Sequence, residues 1–297
     1  MIDAHSFCQF IKSQFHLYLI KNPILLNHPM SASLAHQKSK NQWVTIYDSK
    51  LTEITKLAIE KYFSHFSTKL LIEEDLPQGW PNDSLEWKAG IKLLNLKCQS
   101  EKSEKNDILF IVDPVDGTRE LVHGIPECAY SLSCVQIDNN EMVPIFSWIW
   151  NFLTGEEFSF LPSESISSPL PENKGEEKRG FIGHWEYKKI KEKFENFSLH
   201  VDPLGSIAYK LGLLSHNKCD FVFTLRPKNI WDIAAGIHLL KTKNFCFLNL
   251  SDLKKPTEIK SINQWWWPGP MLWCNQKISE SIIKQLTPLI EYFNIVK

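Results

Sequence analysis

Asp113-Pro114-Val115-Asp116-Gly117-Thr118 stands directly after Ile108-Leu109-Phe110-Ile111-Val112, the strongest buried-strand signal in the chain. Asp113, at the strand end, can point into a cleft instead of the core. Pro114 stiffens the turn, and Asp116 returns a second carboxylate three residues later. Gly117 permits close backbone approach, so the Gly117 and Thr118 amides can face an anion if a helix or nest begins there. Two carboxylates held this close repel each other, and a hard divalent cation relieves the repulsion. The same residues also fit an Asx turn that caps a helix.

Two further acidic positions bear on the choice. Glu73-Glu74-Asp75 follows the short apolar run Leu70-Leu71-Ile72, so Glu73 can converge on the same cleft; such a triplet also fits a solvated loop. Asp232, in Trp231-Asp232-Ile233-Ala234-Ala235-Gly236, heads a helix whose small residues allow tight packing, and by itself it reads as an N-cap. The histidines are dispersed without H-x-x-x-H spacing, which disfavours a zinc hydrolase. Seven scattered cysteines (Cys8, Cys98, Cys128, Cys134, Cys219, Cys246 and Cys274) form no C-x-x-C pair. Most are expected to be small buried hydrophobes in a reducing, cytoplasmic setting.

Alternating helices and strands must position these side chains. A helix is expected over Ile2 to Leu26 and a second from Asp48, with Leu51, Ile54, Leu57, Ala58, Ile59 and Phe63 mainly on one side. Strands are expected at Tyr130 to Ile137 and Val143 to Trp150, joined by a turn, and near Phe221 to Leu225. Helices follow near Ile207 to Leu214, over Asp232 to Leu240, and from after Asn275 toward Tyr292. The division expected is an N-terminal α+β domain over residues 1–162, a polar linker over 163–180 and a C-terminal α/β domain over 181–297. The first would carry most of the acidic residues, and the second would supply Asp232.

The 297 residues are 43% hydrophobic and 23% charged, ordinary for a globular protein with a real core. A formal net charge of -1 gives no electrostatic case for a nucleic-acid polymer or an anionic membrane as partner. The N-terminal apolar stretch is too short, and too soon broken by Pro23, for a signal peptide or a membrane span.

Five ordered segments carry a resemblance: Val44-Thr45-Ile46-Tyr47-Asp48, Ile72-Glu73-Glu74, Asp113 to Thr118, Gly205-Ser206, and Trp231 to Gly236. In this order and spacing they resemble the inositol monophosphatase family of magnesium-dependent, lithium-sensitive phosphatases. The resemblance implies a layered α-β-α-β-α sandwich of mixed α/β (α+β) class. It further implies two or three Mg2+ ions held by Glu73, Asp113, Asp116, Asp232 and the Val115 carbonyl. Asp48 and Thr118 resemble the pair that orients and deprotonates the attacking water. The Gly117 and Thr118 amides would hold the phosphate, with Gly205 and Ser206 on the substrate rim. No covalent phosphoenzyme is expected.

The substrate expected is a small phosphate ester, and a homodimer is compatible with the sequence. Glu73 to Trp80, Thr118-Arg119-Glu120-Leu121 and Asn229-Ile230-Trp231-Asp232 look like the 3'(2'),5'-bisphosphate nucleotidase (CysQ-like) branch. Leu121 to Pro126 instead resembles the inositol and histidinol phosphatase branches, so inositol-phosphate, histidinol-phosphate and sugar-phosphate hydrolysis stay open. Leu225 stands where the inositol-phosphate branch usually has an acid for substrate hydroxyls. Arg226 and Lys228 are nearby cations that can meet a second phosphate, or are solvated loop charges. Residues 82–106 look longer than usual. The Trp265-Trp266-Trp267 cluster reads as a buried or subunit-facing aromatic loop more than as a base-stacking platform. His123 reads as a hydrogen-bonded loop residue. Two alternatives of another class are a catalytically silent member that binds a phosphometabolite or a protein, and a structural calcium loop.

Overall fold

Side-chain alternation along two strands divides the interior. Leu70, Ile72, Ile108, Phe110 and Val112 are buried on one face of a sheet, while Leu71, Leu109 and Ile111 are buried on the other, as a period of two requires. The computed structural model describes residues 3–39, 42–75, 94–95, 107–138, 141–160, 178–194, 199–241, 245–250, 266–267 and 269–295.

The first helix, Ala4–Lys21, is capped by Asp3, whose side chain accepts from the Ser6 amide. It stops short of the expected Leu26 because Pro23 disfavours helical backbone at the residue before it. A hairpin of β1 (Ala35–Ser39) and β2 (Gln42–Thr45) leads into the second helix, Ile46–Phe63. That helix opens with a capping box between Thr45 and Asp48. Leu57, expected on its apolar side, is 47% exposed.

Six strands form the first sheet: β3 (Thr68–Ile72), β4 (Leu94–Asn95), β5 (Asp107–Asp116), β6 (Ala129–Asp138), β7 (Glu141–Trp150) and β8 (Glu157–Phe160). Their order is β4-β3-β5-β6-β7-β8, with β3 and β5 parallel and the other pairs antiparallel. The second sheet uses β9 (Lys178–Ile182), β10 (Leu199–Pro203), β11 (Phe221–Thr224), β13 (Phe245–Asn249) and β15 (Met271–Asn275), in the order β10-β9-β11-β15-β13. Between them in the chain, β12 (Lys228–Asn229) pairs with β14 (Trp266–Trp267). Strand β9 begins inside the stretch read as a linker; residues 161–177 of that stretch lie outside the described residues, as does most of 82–106.

Three buried clusters bind these elements into five layers. Helices Ala4–Lys21 and Ile46–Phe63 cover one face of the first sheet through Phe7, Ile11, Phe15, Leu51 and Phe63. Helices Ile207–Ser215 and Ile230–Lys241 fill the space between the two sheets through Leu211, Ile233 and Ala234, against Val222 and Trp273 of the second sheet. Ile190 of helix His184–Phe194 and Ile282 and Leu286 of helix Ser279–Ile295 cover the far face. This is the expected α-β-α-β-α order. Trp267 is buried in the middle cluster, whereas Trp265 and the Trp266 side chain lie outside the described residues. Five of the six described cysteines are buried; Cys98 lies outside them.

Candidate active site

The expected strand end at Asp113-Pro114 is not where β5 stops. The strand resumes beyond Pro114, with Asp113 opposite Ser131 and Asp116 opposite Ala129. Three steps on β5 thus match two on β6, a bulge of one extra residue. In an unbroken strand, residues an odd number apart face opposite sides of the sheet. The bulge cancels that and returns Asp113 and Asp116 to one side. Within it, the Val115 amide donates to Asp113 Oδ1 at 3.0 Å and Thr118 Oγ1 donates to the Val115 carbonyl at 2.7 Å. Gly117 follows with φ +92°, and a Cβ there would lie 2.7 Å from the Glu127 carbonyl oxygen. Glycine alone meets both constraints.

Glu73 reaches the same place by register. Ile72 pairs with Val112 in the parallel β3–β5 ladder, so Glu73, the first residue past β3, follows beside Asp113, the next residue of β5. Ligands gather at such carboxyl ends of parallel strands. Asp232 arrives from the other half of the chain, on the first turn of helix Ile230–Lys241, where its Oδ2 accepts from the Asn229 amide at 2.9 Å. Each of Glu73, Asp113 and Asp232 offers a carboxylate oxygen within 4.8 Å of the others. Asp116 borders this group and lines the same cavity, but its Oδ2 is bonded to Ser206 Oγ at 2.7 Å and the Ala208 amide at 2.6 Å.

The electrostatics of these acids are those of a cation site. Burial pushes the Asp113 carboxyl well above the usual range, and Glu73, Asp116, Asp232 and Asp48 push it the same way. Burial also raises Asp232 to about 7 against the opposing pull of Lys228, with Asp116 adding to the rise. Like charges this crowded cannot all ionise without a compensating cation. The donors are carboxylate and carbonyl oxygens with no cysteine or histidine among them, a set that suits Mg2+ or Ca2+ and not zinc. Glu73, Asp113 and Asp232 are placed to hold such an ion together, and Asp116 and Val115 line the same cavity.

Asp48 sits in the first turn of its helix, buried, with Oδ2 accepting from the Thr45 amide at 2.8 Å and from Thr45 Oγ1 at 2.5 Å. Its Oδ1 lies 3.3 Å from Thr118 Oγ1. Thr118 has one hydroxyl proton, which serves the Val115 carbonyl or Asp48 Oδ1 at any one time, with the shorter contact to Val115. Burial raises the Asp48 carboxyl to about 7, with Glu74 adding to the rise and the Thr45 bonds opposing it.

Gly205 and Ser206 line the same cavity of about 270 Å³. Ser206 caps helix Ile207–Ser215, accepting from the Tyr209 amide at 3.0 Å while donating to Asp116. The Gly205 amide donates to Glu127 Oε2 at 2.6 Å, and His184 Nε2 lies 2.6 Å from the same oxygen. Lys210, fully enclosed, donates to the Leu204 and Gly205 carbonyls, both at 2.8 Å; burial lowers its ammonium to about 8. Sequence reasoning missed Glu127, His184, Trp185, Glu186 and Lys210. Lys210 left one signal, a lone charge inside the apolar helix Ile207 to Leu214. His123 is an exposed loop residue, its Nδ1 2.7 Å from the Arg119 carbonyl.

Residues 25–258 match the inositol monophosphatase family, and the chain belongs to that family, whose members are magnesium-dependent phosphatases. A "Fructose-1,6-bisphosphatase/inositol-1-monophosphatase" of Thermotoga maritima is 33% identical over 153 residues, which span 50% of this chain and 59% of that protein. The chain therefore aligns with somewhat under two thirds of that relative. Among solved structures, an IMPase of Thermotoga maritima superposes with a TM-score of 0.64 at 18% identity, covering 98% of both chains. Staphylococcal IMPase-I complexed with products gives 0.63 at 17% identity, covering 95% of this chain and 93% of that one. An IMPase/NADP phosphatase complexed with Mg2+ and phosphate gives 0.64 at 15% identity with the same coverage. These likenesses establish the fold. Among the described residues, no helix is long and apolar enough to cross a membrane.

Proposed function

We propose that this protein hydrolyses a phosphate monoester of a small metabolite by direct attack of water, with magnesium as cofactor. The observation that carries the reading is the meeting of Glu73, Asp113 and Asp232 oxygens within 4.8 Å beside the Asp48–Thr118 pair. Magnesium at such a site neutralises charge on the attacking and leaving oxygens. The chain's own part is orientation and proton transfer. Thr118 aligns the water through its hydroxyl oxygen, and Asp48, held by Thr45, takes its proton. The Gly117 and Thr118 amides bind the phosphate, and Gly205 and Ser206 shape the rim. In this reading residues 1–162 bring most of the acids and residues 181–297 bring Asp232.

We infer a 3'(2'),5'-bisphosphate nucleotide as the substrate. Support comes from the segments around Glu73, Thr118 and Asn229, and from Leu225, which is partly buried against the cluster beneath the second sheet and offers no acid to a sugar hydroxyl. A sugar bisphosphate is the second reading, favoured by the Thermotoga maritima relative and its printed activities. The deciding experiment is a phosphate-release screen with Mg2+ on adenosine 3',5'-bisphosphate, inositol monophosphate, histidinol phosphate and fructose 1,6-bisphosphate. Fastest release from the nucleotide supports the assignment. Release from none of the four contradicts it, and supports a silent, ligand-binding member of the family.

A further inference from the structure

The cavity has a second wall that neither the metal nor the attacking water requires. Trp185 lines it, with the Arg226 guanidinium carbon 3.8 Å from the ring centroid and Lys189 Nζ 3.8 Å from a Trp185 centroid as well. Both cations lie at cation–π distance from the indole, which is itself 38% exposed. Its part is to be a shelf for Arg226.

The backbone beneath Arg226 is fixed from two sides. Glu186 is 5% exposed. Its Oε1 accepts from Thr224 Oγ1 at 2.9 Å, the Leu225 amide at 2.7 Å and the Arg226 amide at 3.0 Å, and its Oε2 accepts from the Gly183 amide at 3.2 Å. From the opposite side Gly269 presses so close that a Cβ there would fall 2.6 Å from the Leu225 oxygen and 2.7 Å from the Arg226 carbonyl carbon. A buried carboxylate spent on backbone donors and a glycine forced by contact together immobilise one peptide.

The other cations at the cavity are differently placed. Lys210 is committed to two carbonyls, and the charge of Lys228 acts on Asp232. Arg119 and Arg226 are both exposed, but among the described residues no aromatic ring lies under Arg119 as Trp185 lies under Arg226. Arg226 keeps its guanidinium donors free of ion pairs and hydrogen bonds among the described residues, on a rigid mount. A planar guanidinium so prepared matches phosphate or carboxylate. With the apolar Leu225 next to it, partly buried against the cluster beneath the second sheet, Arg226 has no neighbouring carboxylate in residues 224–228 to meet a neutral hydroxyl.

We propose that Arg226 is the specificity-determining contact for a second anionic group on the substrate, a phosphate or carboxylate separate from the one cleaved, with Glu186 as its positioning residue. The proposal rests on the phosphatase reading above and names residues for its substrate preference. The test is calorimetric binding with Mg2+ in an Asp48→Asn background, where turnover is suppressed. Two matched pairs serve as probes: adenosine 3',5'-bisphosphate against adenosine 3'-monophosphate, and fructose 1,6-bisphosphate against fructose 1-phosphate. One pair should show a preference for the bisphosphate of about 10- to 100-fold, and that pair identifies a nucleotide or a sugar carrier. Arg226→Ala should bring the ratio near one, Arg119→Ala should leave it, and Glu186→Gln, which keeps an acceptor for the three donors, should retain most of it. Absence of preference in both pairs, its survival in Arg226→Ala, or equal loss in Arg119→Ala overturns the proposal. Phosphate release by the wild-type protein is read separately. Release without binding preference removes Arg226 alone, and preference without release removes the hydrolytic reading alone.

Discussion

Ser206 Oγ donates to Asp116 Oδ2 at 2.7 Å across ninety positions of sequence. With the Ala208 amide on the same oxygen, this bond ties the bulged end of β5 to the first turn of helix Ile207–Ser215. The carboxylate is thereby held in place at the wall of the cavity. Ser206→Ala removes the bond to Asp116 and the cap to Tyr209 at once. The expected cost is about 1 kcal/mol of stability and a roughly tenfold or greater rise in the Mg2+ concentration for half-maximal activity. Thermal melts and magnesium titration of phosphate release check the two parts.

Metal-free protein should lose stability as pH rises. Folded-state values of Asp113, Asp232 and Asp48 are raised above the usual 3.8. Native protein then holds more protons than unfolded chain from about pH 4 upward, so stability falls through the region near 7 and the penalty is complete above it. Melting temperatures in EDTA should therefore drop between pH 5 and pH 8, and Mg2+ should restore them. Asp113→Asn should blunt both the drop and the restoration. A flat metal-free profile would contradict the crowding argument.

Asp48→Asn keeps the capping geometry but cannot accept the proton. The expected result is a fall in kcat of about 10²- to 10⁴-fold with KM within a few-fold, because the lost interaction belongs to the transition state. Steady-state kinetics on the preferred substrate read the split. Normal turnover in the variant would remove Asp48 from the mechanism.

Gly117→Ala forces a Cβ into the Glu127 carbonyl at a backbone angle that L-residues disfavour. A loss of about 1–2 kcal/mol or more is expected, together with lower activity from the displaced Thr118. Denaturant unfolding measures the first effect. An unchanged midpoint would mean that the turn relaxes freely.

Much of the fold was legible because buried strands announce themselves. Ile108 to Val112, Tyr130 to Ile137 and Val143 to Trp150 all lie within observed strands. That Glu73, Asp113 and Asp232 would cluster was implied by the resemblance of five ordered segments, since each acid taken singly also fits a loop, a turn or a cap. The bulge was not legible, since Pro114 reads equally as a terminator, and its effect on Asp116 needs the partner strand. Glu127 and Glu186 were missed for a different reason. A carboxylate in a polar stretch is usually solvated, and only the fold reveals that Gly205, Thr224, Leu225 and Arg226 donate to these two.

The meeting of acids from both halves of the chain is tested most directly by titrating Mg2+ calorimetrically into metal-free wild type, Asp113→Asn and Asp232→Asn. Saturable binding in the wild type, weakened at least tenfold or lost in each variant, is the predicted result. Equal Mg2+ affinity in all three proteins would contradict the shared site.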